Sequence, residues 1–186
     1  DLHLYMGGLH NIENCLAAVA VAKYLGIEDG PIKEAVAAFR GVHRRFELAL
    51  SDDRHTVIDD YAHHPEELRA LISGVRSMYG DQKLVLVFQP HLFSRTKDLA
   101  DAFAESLDMA DEVLLLPIYP ARELPVEGVN SLLIAGKMKK APVTVLDRDA
   151  FLTWTKERKP SLVVMAGAGD IDRLVQPVVK ILGGPV

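Results

Sequence analysis

Cysteine is almost absent from this 186-residue chain, with Cys15 the single example. That excludes an internal disulfide framework and leads to the expectation of a reducing, cytoplasmic setting. A basic excess is missing too. Lys and Arg number 21 against 26 Asp and Glu, for a formal net charge of −5, so nothing marks a nucleic-acid surface. No apolar run reaches the roughly 20 residues of a membrane-spanning helix, and no basic stretch followed by an apolar one begins the chain as a signal peptide would. Internal repeats and low-complexity tracts are lacking. So are several catalytic signatures. The one Gly-Lys pair, Gly136-Lys137, is followed by Met138 and has no glycine five residues earlier, so the chain holds no P-loop. Ser94 has no G-x-S-x-G surroundings, which argues against a serine hydrolase. His63 and His64 are adjacent rather than one helical turn apart, so they are not a zincin pair. Gly167-x-Gly169 lacks the third glycine of a dinucleotide fingerprint and is a weak phosphate signal.

What is present is ordinary for a folded chain: 49% apolar and 25% charged residues, enough for one domain or a domain and a fragment. Residues 1–8 read as a strand already under way, without an initiator Met, and the chain is expected to be part of something longer. A helix is predicted over 12–25, with Gly26 as its C′ residue, and another over 32–39, ending at Gly41. Asn11 and Asn14 fall on one side of the first helix start; Asn11 also fits a simple cap. Val42–Glu47 reads V-H-R-R-F-E, where two adjacent arginines either bind an anion or are plain surface residues. A hairpin over 46–50 and 56–58 marks a boundary. Beyond it strands (84–88, 112–119, 143–146, 162–166) alternate with helices (65–79, 96–109, 131–138, 149–158, 171–182), the last kinked at Pro177. The uninterrupted apolarity of 84–88 implies burial on both faces, as in a parallel sheet. The fold class is therefore α/β: a mostly parallel, doubly wound sheet with helices on both faces and 46–50 as one antiparallel edge strand. Strand order is not readable from this pattern.

The stretch Val57–Pro65, VIDDYAHHP, organises the polar groups. A β-branched strand ends in Asp59, Asp60, Tyr61, His63 and His64, and Pro65 with Glu66 and Glu67 opens a helix whose dipole favours acidic first-turn residues. Taken alone it also fits two solvated histidines and a capping turn. Two further strand ends, FQPHLFSR (88–95) and GAGD (167–170), come to the same edge of a parallel sheet, where open α/β sheets bind ligands. His63, His91 and Arg95 are thus expected in one cleft, with Arg95 suited to a carboxylate or phosphate. A two-His, one-carboxylate metal site from His63, His91 and Asp60 is the alternative chemistry.

Together DDYAHHP, FQPH with SRT close behind, IYPA-x-E (118–123) and GAGDI (167–171) resemble the Mur ligase family of peptidoglycan synthesis, as do GLHNIEN and GVHRRFE upstream. The motifs span nearly the whole chain in the family's order. They match the branch that adds alanine rather than the one that recycles murein tripeptide. The resemblance implies that residues 1–43 are the C-terminal tail of a central ATPase domain and 44–186 a Rossmann-like, amino-acid-binding C-terminal domain. It implies ATP and Mg2+ as cofactors, with the metal ligands mostly outside this chain. The implied substrates are UDP-N-acetylmuramate and L-alanine, joined through an acyl phosphate, and the fragment is expected to be inactive alone. By position, Asn11 and Asn14 would contact adenine, Arg45 the phosphates, Asp60 the ribose, and Tyr61 would lie by the nucleotide. His63, His91 and Arg95 would line the amino-acid side. Leu92 stands where many members have Arg, which leaves Arg95 carrying more of the carboxylate neutralisation; Arg122 fills a variable position. A stand-alone nucleotide-binding module is the competing reading.

Overall fold

The computed structural model describes residues 1–4 and 9–183. Two helices come first, α1 (Leu9–Tyr24) and α2 (Asp29–Ala38). Helix α1 starts earlier than its periodicity predicts, so Asn11 lies inside its first turn and is not its cap. It ends as expected at Gly26: φ is +79°, Gly26 N–H donates to Lys23 O and Ile27 N–H to Ala22 O. That is the paired closure of a Schellman motif, which a left-handed glycine permits. The strand expected over 1–8 is not found at 1–4, which carry no regular structure; the rest of it lies outside the described residues.

After the crossover come β1 (Glu47–Ser51), β2 (Thr56–Asp60), α3 (Pro65–Tyr79), β3 (Leu84–Phe88), α4 (Phe93–Asp98), α5 (Ala100–Leu107), β4 (Glu112–Leu115), α6 (Ser131–Ala135), β5 (Val143–Val145), α7 (Arg148–Arg158), β6 (Leu162–Ala166) and α8 (Asp172–Gly183). The hairpin turn is held by Asp52, whose carboxylate accepts from Arg54 N–H and His55 N–H. The six strands form one sheet in the order β1-β2-β6-β3-β4-β5. Only β1–β2 is antiparallel, and it lies at the edge.

Each central strand is buried along its whole length because it feeds two apolar layers. Leu84, Leu86 and Phe88 pack with Leu68, Ile72 and Phe103 on one face. Val85 and Val87 pack with Phe151, Leu174 and Val178 on the other. Burying each such side chain contributes about 1.5–3 kcal/mol. The period-2 geometry of a strand turns one continuous apolar run into two half-cores.

Three boundaries differ from expectation. The helix predicted over 96–109 is two helices, because Leu99 (φ −113°, ψ 16°) leaves helical geometry between α4 and α5. The strand predicted over 112–119 ends at Leu115; Pro117 has no N–H for a ladder, and only a single bridge, His91 to Tyr119, continues the pairing. Helix α6 is shorter than expected and α8 runs through Pro177. No described helix is long and apolar enough to cross a membrane.

Candidate functional site

The C-terminal ends of β2, β3 and β6 meet at one edge, as the parallel register requires: Asp60 is level with Ala166, and Ala166 with Phe88. Facing that edge across a gap is the helical pair. Between them lies a cavity of about 940 Å³. Asn11, Asn14 and Cys15 of α1, Ala35 and Val36 of α2, Arg45, Asp60, and Glu66, Glu67 and Leu71 at the start of α3 line it. Four of the residues singled out in the sequence, Asn11, Asn14, Arg45 and Asp60, are thus brought to a single cavity from three parts of the chain.

The two arginines of V-H-R-R-F-E have different fates. Arg45 is exposed and lines the cavity. Arg44 adopts a left-handed φ of +57° that turns it inward. Its guanidinium donates to Gly167 O and, at 3.4 Å, to Gly169 O, and its Nε lies 3.4 Å from Asp59 Oδ2. The paired anion reading therefore reduces to Arg45. Phe46 is left-handed as well (φ +51°), and the Asp60 carboxylate holds that bend, accepting from Phe46 N–H and Ala62 N–H at 2.7 Å each. Asp60 thus anchors the backbone while lining the cavity.

Glu67 is another clamp. Its Oε2 accepts from His63 N–H and His64 N–H at 2.8 and 3.1 Å, so the AHHP segment is fixed by the first turn of α3. The signal for it was legible, since Glu three residues after the capping position is the capping-box pattern.

From Arg45 a line of rings leads away from the cavity. The guanidinium carbons of Arg44 and Arg45 lie 5.1 and 5.6 Å from the Tyr61 ring centre. His63 meets Tyr61 edge-on at 5.3 Å, His91 meets His63 at 6.1 Å, and Tyr119 stacks on His91 at 5.7 Å. His63 Nδ1 is 2.9 Å from Tyr61 O, so it carries the proton and leaves Nε2 as the acceptor. Burial, then the charge of Arg95, then His63 push the His91 pKa below its ordinary value, against a weaker pull from Glu123. Among the described residues, His91 Nδ1 and Arg95 Nη1 are both buried without a hydrogen-bond partner. An imidazole nitrogen and a cationic donor left unmatched at one strand end are open to a water or a polar ligand.

Tyr119, Glu123 and Gln89 fall inside the IYPA-x-E and FQPH motifs, but the motifs alone assign none of them a role of its own. Glu123 accepts from Ser94 N–H and Ser94 Oγ, which hold its carboxyl below the usual range and tie the IYPA-x-E loop to α4. Gln89 Nε2 donates to Asp170 and its Oε1 accepts from Ile171 N–H, joining β3 to the GAGD loop. Leu92, beside His91, has φ +72°, a strained setting of the kind that concentrates at binding sites. Among the described residues no three His, Cys, Asp or Glu side chains gather to hold a metal ion, so the His63, His91, Asp60 metal reading finds no geometry here.

A mostly parallel sheet with one antiparallel edge, and a cavity between its C-terminal edge and a helical pair, define a Rossmann-like α/β domain with a ligand-sized site at its strand ends. Residues 44–169 match the family model "Mur ligase, glutamate ligase domain", and the chain belongs to the Mur ligase family. It is 43% identical over 178 residues to the UDP-N-acetylmuramate–L-alanine ligase of Cytophaga hutchinsonii, covering 96% of this chain and 38% of that one. The Porphyromonas gingivalis enzyme of the same name is 47% identical over 173 residues, covering 92% and 38%. Among solved structures, the UDP-N-acetylmuramate–alanine ligase of Thermotoga maritima superposes with a TM-score of 0.76 at 32% identity, covering 96% of this chain and 39% of that one. The folylpolyglutamate synthase of Mycobacterium tuberculosis complexed with ADP and AMPPCP shares the fold (TM-score 0.71, 20% identity), covering 100% and 42%. The chain thus spans about two fifths of the length of these relatives.

Proposed function

We propose that this chain is the C-terminal part of an ATP-dependent ligase that joins L-alanine to UDP-N-acetylmuramate in the cytoplasm. In that reading residues 1–43 end a central ATPase domain and 44–186 form the amino-acid-binding domain. The observation that carries it is the cavity that collects Asn11, Asn14, Arg45 and Asp60 between the two parts. Amide side chains donate and accept, as an adenine edge requires. An exposed guanidinium suits phosphate oxygens, and a volume of about 940 Å³ is in the range of cofactor sites. The residues present fit ATP. Mg2+ would draw its ligands from outside this chain.

An ionised carboxylate resists attack by an amine until its oxygen becomes a leaving group. ATP, when bound, would supply that activation by giving its terminal phosphoryl group to the muramate carboxylate and releasing ADP; the alanine amine would then attack the acyl carbon, lose a proton and expel phosphate. This chain contributes positioning and charge. Arg45 neutralises phosphate oxygens, and Asp60 holds the bend that presents Arg45 and lies on the ribose side of the cavity. Arg95 takes the alanine carboxylate, with the His91 ring beside it and His63 closing the row toward Tyr61. Such sites work mainly through orientation and preorganised electrostatics.

The test uses a protein carrying this chain at its relatives' full length. Alanine-dependent phosphate release from ATP in the presence of UDP-N-acetylmuramate is expected, and its absence would overturn the reading. Arg95→Ala should raise the KM for alanine by about tenfold or more while the KM for ATP stays within about twofold, since a lost charge-assisted pair is worth about 1.5–3 kcal/mol. Equal effects on both would remove Arg95 from the amino-acid side.

A further inference from the structure

The cavity does not use Arg44, yet few side chains in the chain are so heavily engaged. Its side chain is 11% exposed. The guanidinium reaches Gly167 O and Gly169 O on the loop after β6, Asp59 Oδ2 at 3.4 Å on β2 and Asp172 at 3.9 Å on α8, and it covers one face of Tyr61 at 5.1 Å. Its backbone is fixed as well. Arg44 N–H donates to Glu47 Oε2 at 2.8 Å, and Arg44 O accepts from Tyr61 N–H at 2.8 Å. A left-handed backbone is strained for a non-glycine residue, so these contacts hold a conformation the chain would not adopt freely.

We propose that Arg44 is a positioning residue. By gripping the Gly167–Gly169 loop, Asp59 and the face of Tyr61 together, it sets the Tyr61 ring and, across that ring, the cavity-lining Arg45. The proposal rests on the nucleotide reading only for what Arg45 binds. The geometry is suited to a guanidinium alone: its planar fork spans two carbonyls and a carboxylate while its face lies on an aromatic ring, which an ammonium cannot do. Tyr61 is thus held at its ring by Arg44 at 5.1 Å and edge-on by His63 at 5.3 Å, and the same ring carries Arg45 at 5.6 Å. A purely structural rivet between two loops would have no need of the Tyr61 face.

The experiment works in an Asp59→Asn background, so that removing Arg44 leaves no buried unpaired carboxylate and folding survives. The imidazole proton resonances of His63, which feel the Tyr61 ring current, are followed by NMR in Arg44→Met and in Tyr61→Leu. We expect Arg44→Met to move them toward their Tyr61→Leu positions while the indole signal of Trp154, packed in the opposite apolar layer, stays in place. A folded Arg44→Met protein with unchanged His63 resonances overturns the proposal. ATP affinity is then measured by calorimetry in a double-mutant cycle. Arg44→Met should weaken binding about tenfold, in line with a lost cation–π contact, and have almost no further effect once Tyr61 is Leu. Additive losses mean Arg44 does not act through Tyr61. If the parent protein binds no ATP, the nucleotide reading falls, and the His63 resonances still decide the role of Arg44. Arg44→Lys should not rescue either signal, and full rescue would also count against the fork geometry.

Discussion

Helices α1 and α3 are nearly equal in length, 16 and 15 residues, and meet opposite ends. The sequence of α1, LHNIENCLAAVAVAKY, is the more apolar of the two, yet Ile12, Leu16, Val21 and Tyr24 are exposed. The more charged α3 buries Leu68, Leu71, Ile72 and Val75. In α1 and α2 together the one fully buried hydrophobic side chain among the described residues is Ile32. The lesson is that amphipathicity states what a helix offers, and burial depends on what lies opposite. Helix α3 has a sheet and α5 against it, whereas α1 has α2. Apolar side chains exposed along one helix are what a surface that packs against a neighbour offers.

Truncations would sharpen that contrast most. Phe103→Ala, fully buried between sheet and α3, should cost about 3–5 kcal/mol in urea unfolding, and Leu16→Ala on α1 under about 0.5 kcal/mol. Comparable losses would mean that the helical pair folds as one unit with the sheet.

Glycines separate the regions next. A Cβ at Gly169 would sit 2.4 Å from Gln89 Oε1 and 2.6 Å from Tyr119 Cβ. Gly169→Ala is therefore expected to cost about 1–3 kcal/mol and to disturb the Gln89–Asp170 bond. Gly30, in the first turn of α2, has nothing within 4 Å beyond its chain neighbours, so Gly30→Ala should change stability by less than about 0.5 kcal/mol, the crowding before Pro31 offsetting the lost glycine freedom. A neutral Gly169→Ala would show that the loop yields freely.

Asp59 supplies a pH test confined to the sheet. Burial pushes its pKa up to about 6, against the pull of Arg44; Glu47 raises it further, His43 lowers it and Asp60 raises it. Because the folded value lies above the unfolded one, this group favours folding most where it is protonated in both states, below about pH 4. That contribution is lost as pH climbs through about 6. Asp59→Asn removes the titration, so its stability relative to the parent should rise by roughly 1–3 kcal/mol between pH 4 and 7.5. A flat difference across that range would show that Arg44 compensates the charge fully.

The smallest effect is expected at the Lys23–Asp29 pair, 2.6 Å apart with both side chains more than half exposed. Lys23→Ala should change stability by less than about 1 kcal/mol, and less in 0.5 M salt. A larger loss would mean that this contact holds α1 against α2.

The candidate site was legible where a residue's type and its strand-end position were enough. Asp60, Tyr61, His63, His91 and Arg95 could be named because strand–helix alternation puts such residues at one sheet edge. Arg44 and Arg45 could not be told apart, since a single positive φ at Arg44 decides which enters the core. Tyr119 was visible in the IYPA-x-E motif, but its place was not readable for a similar reason. It follows Pro117 in a segment that reads as strand, and its place on His91 depends on the bridge between two loops.

Local chemistry alone determined the α/β class, the buried parallel strands, the antiparallel edge and the Gly26 stop, because periodicity, capping and glycine preferences act within a few residues of one another. Tertiary structure decided the strand order, the break at Leu99, the inward turn of Arg44 and the joining of Asn11 and Asn14 to Arg45 and Asp60 across one cavity. Each of these depends on which distant surface is available for burial or for a hydrogen bond, and no short stretch of sequence carries that information.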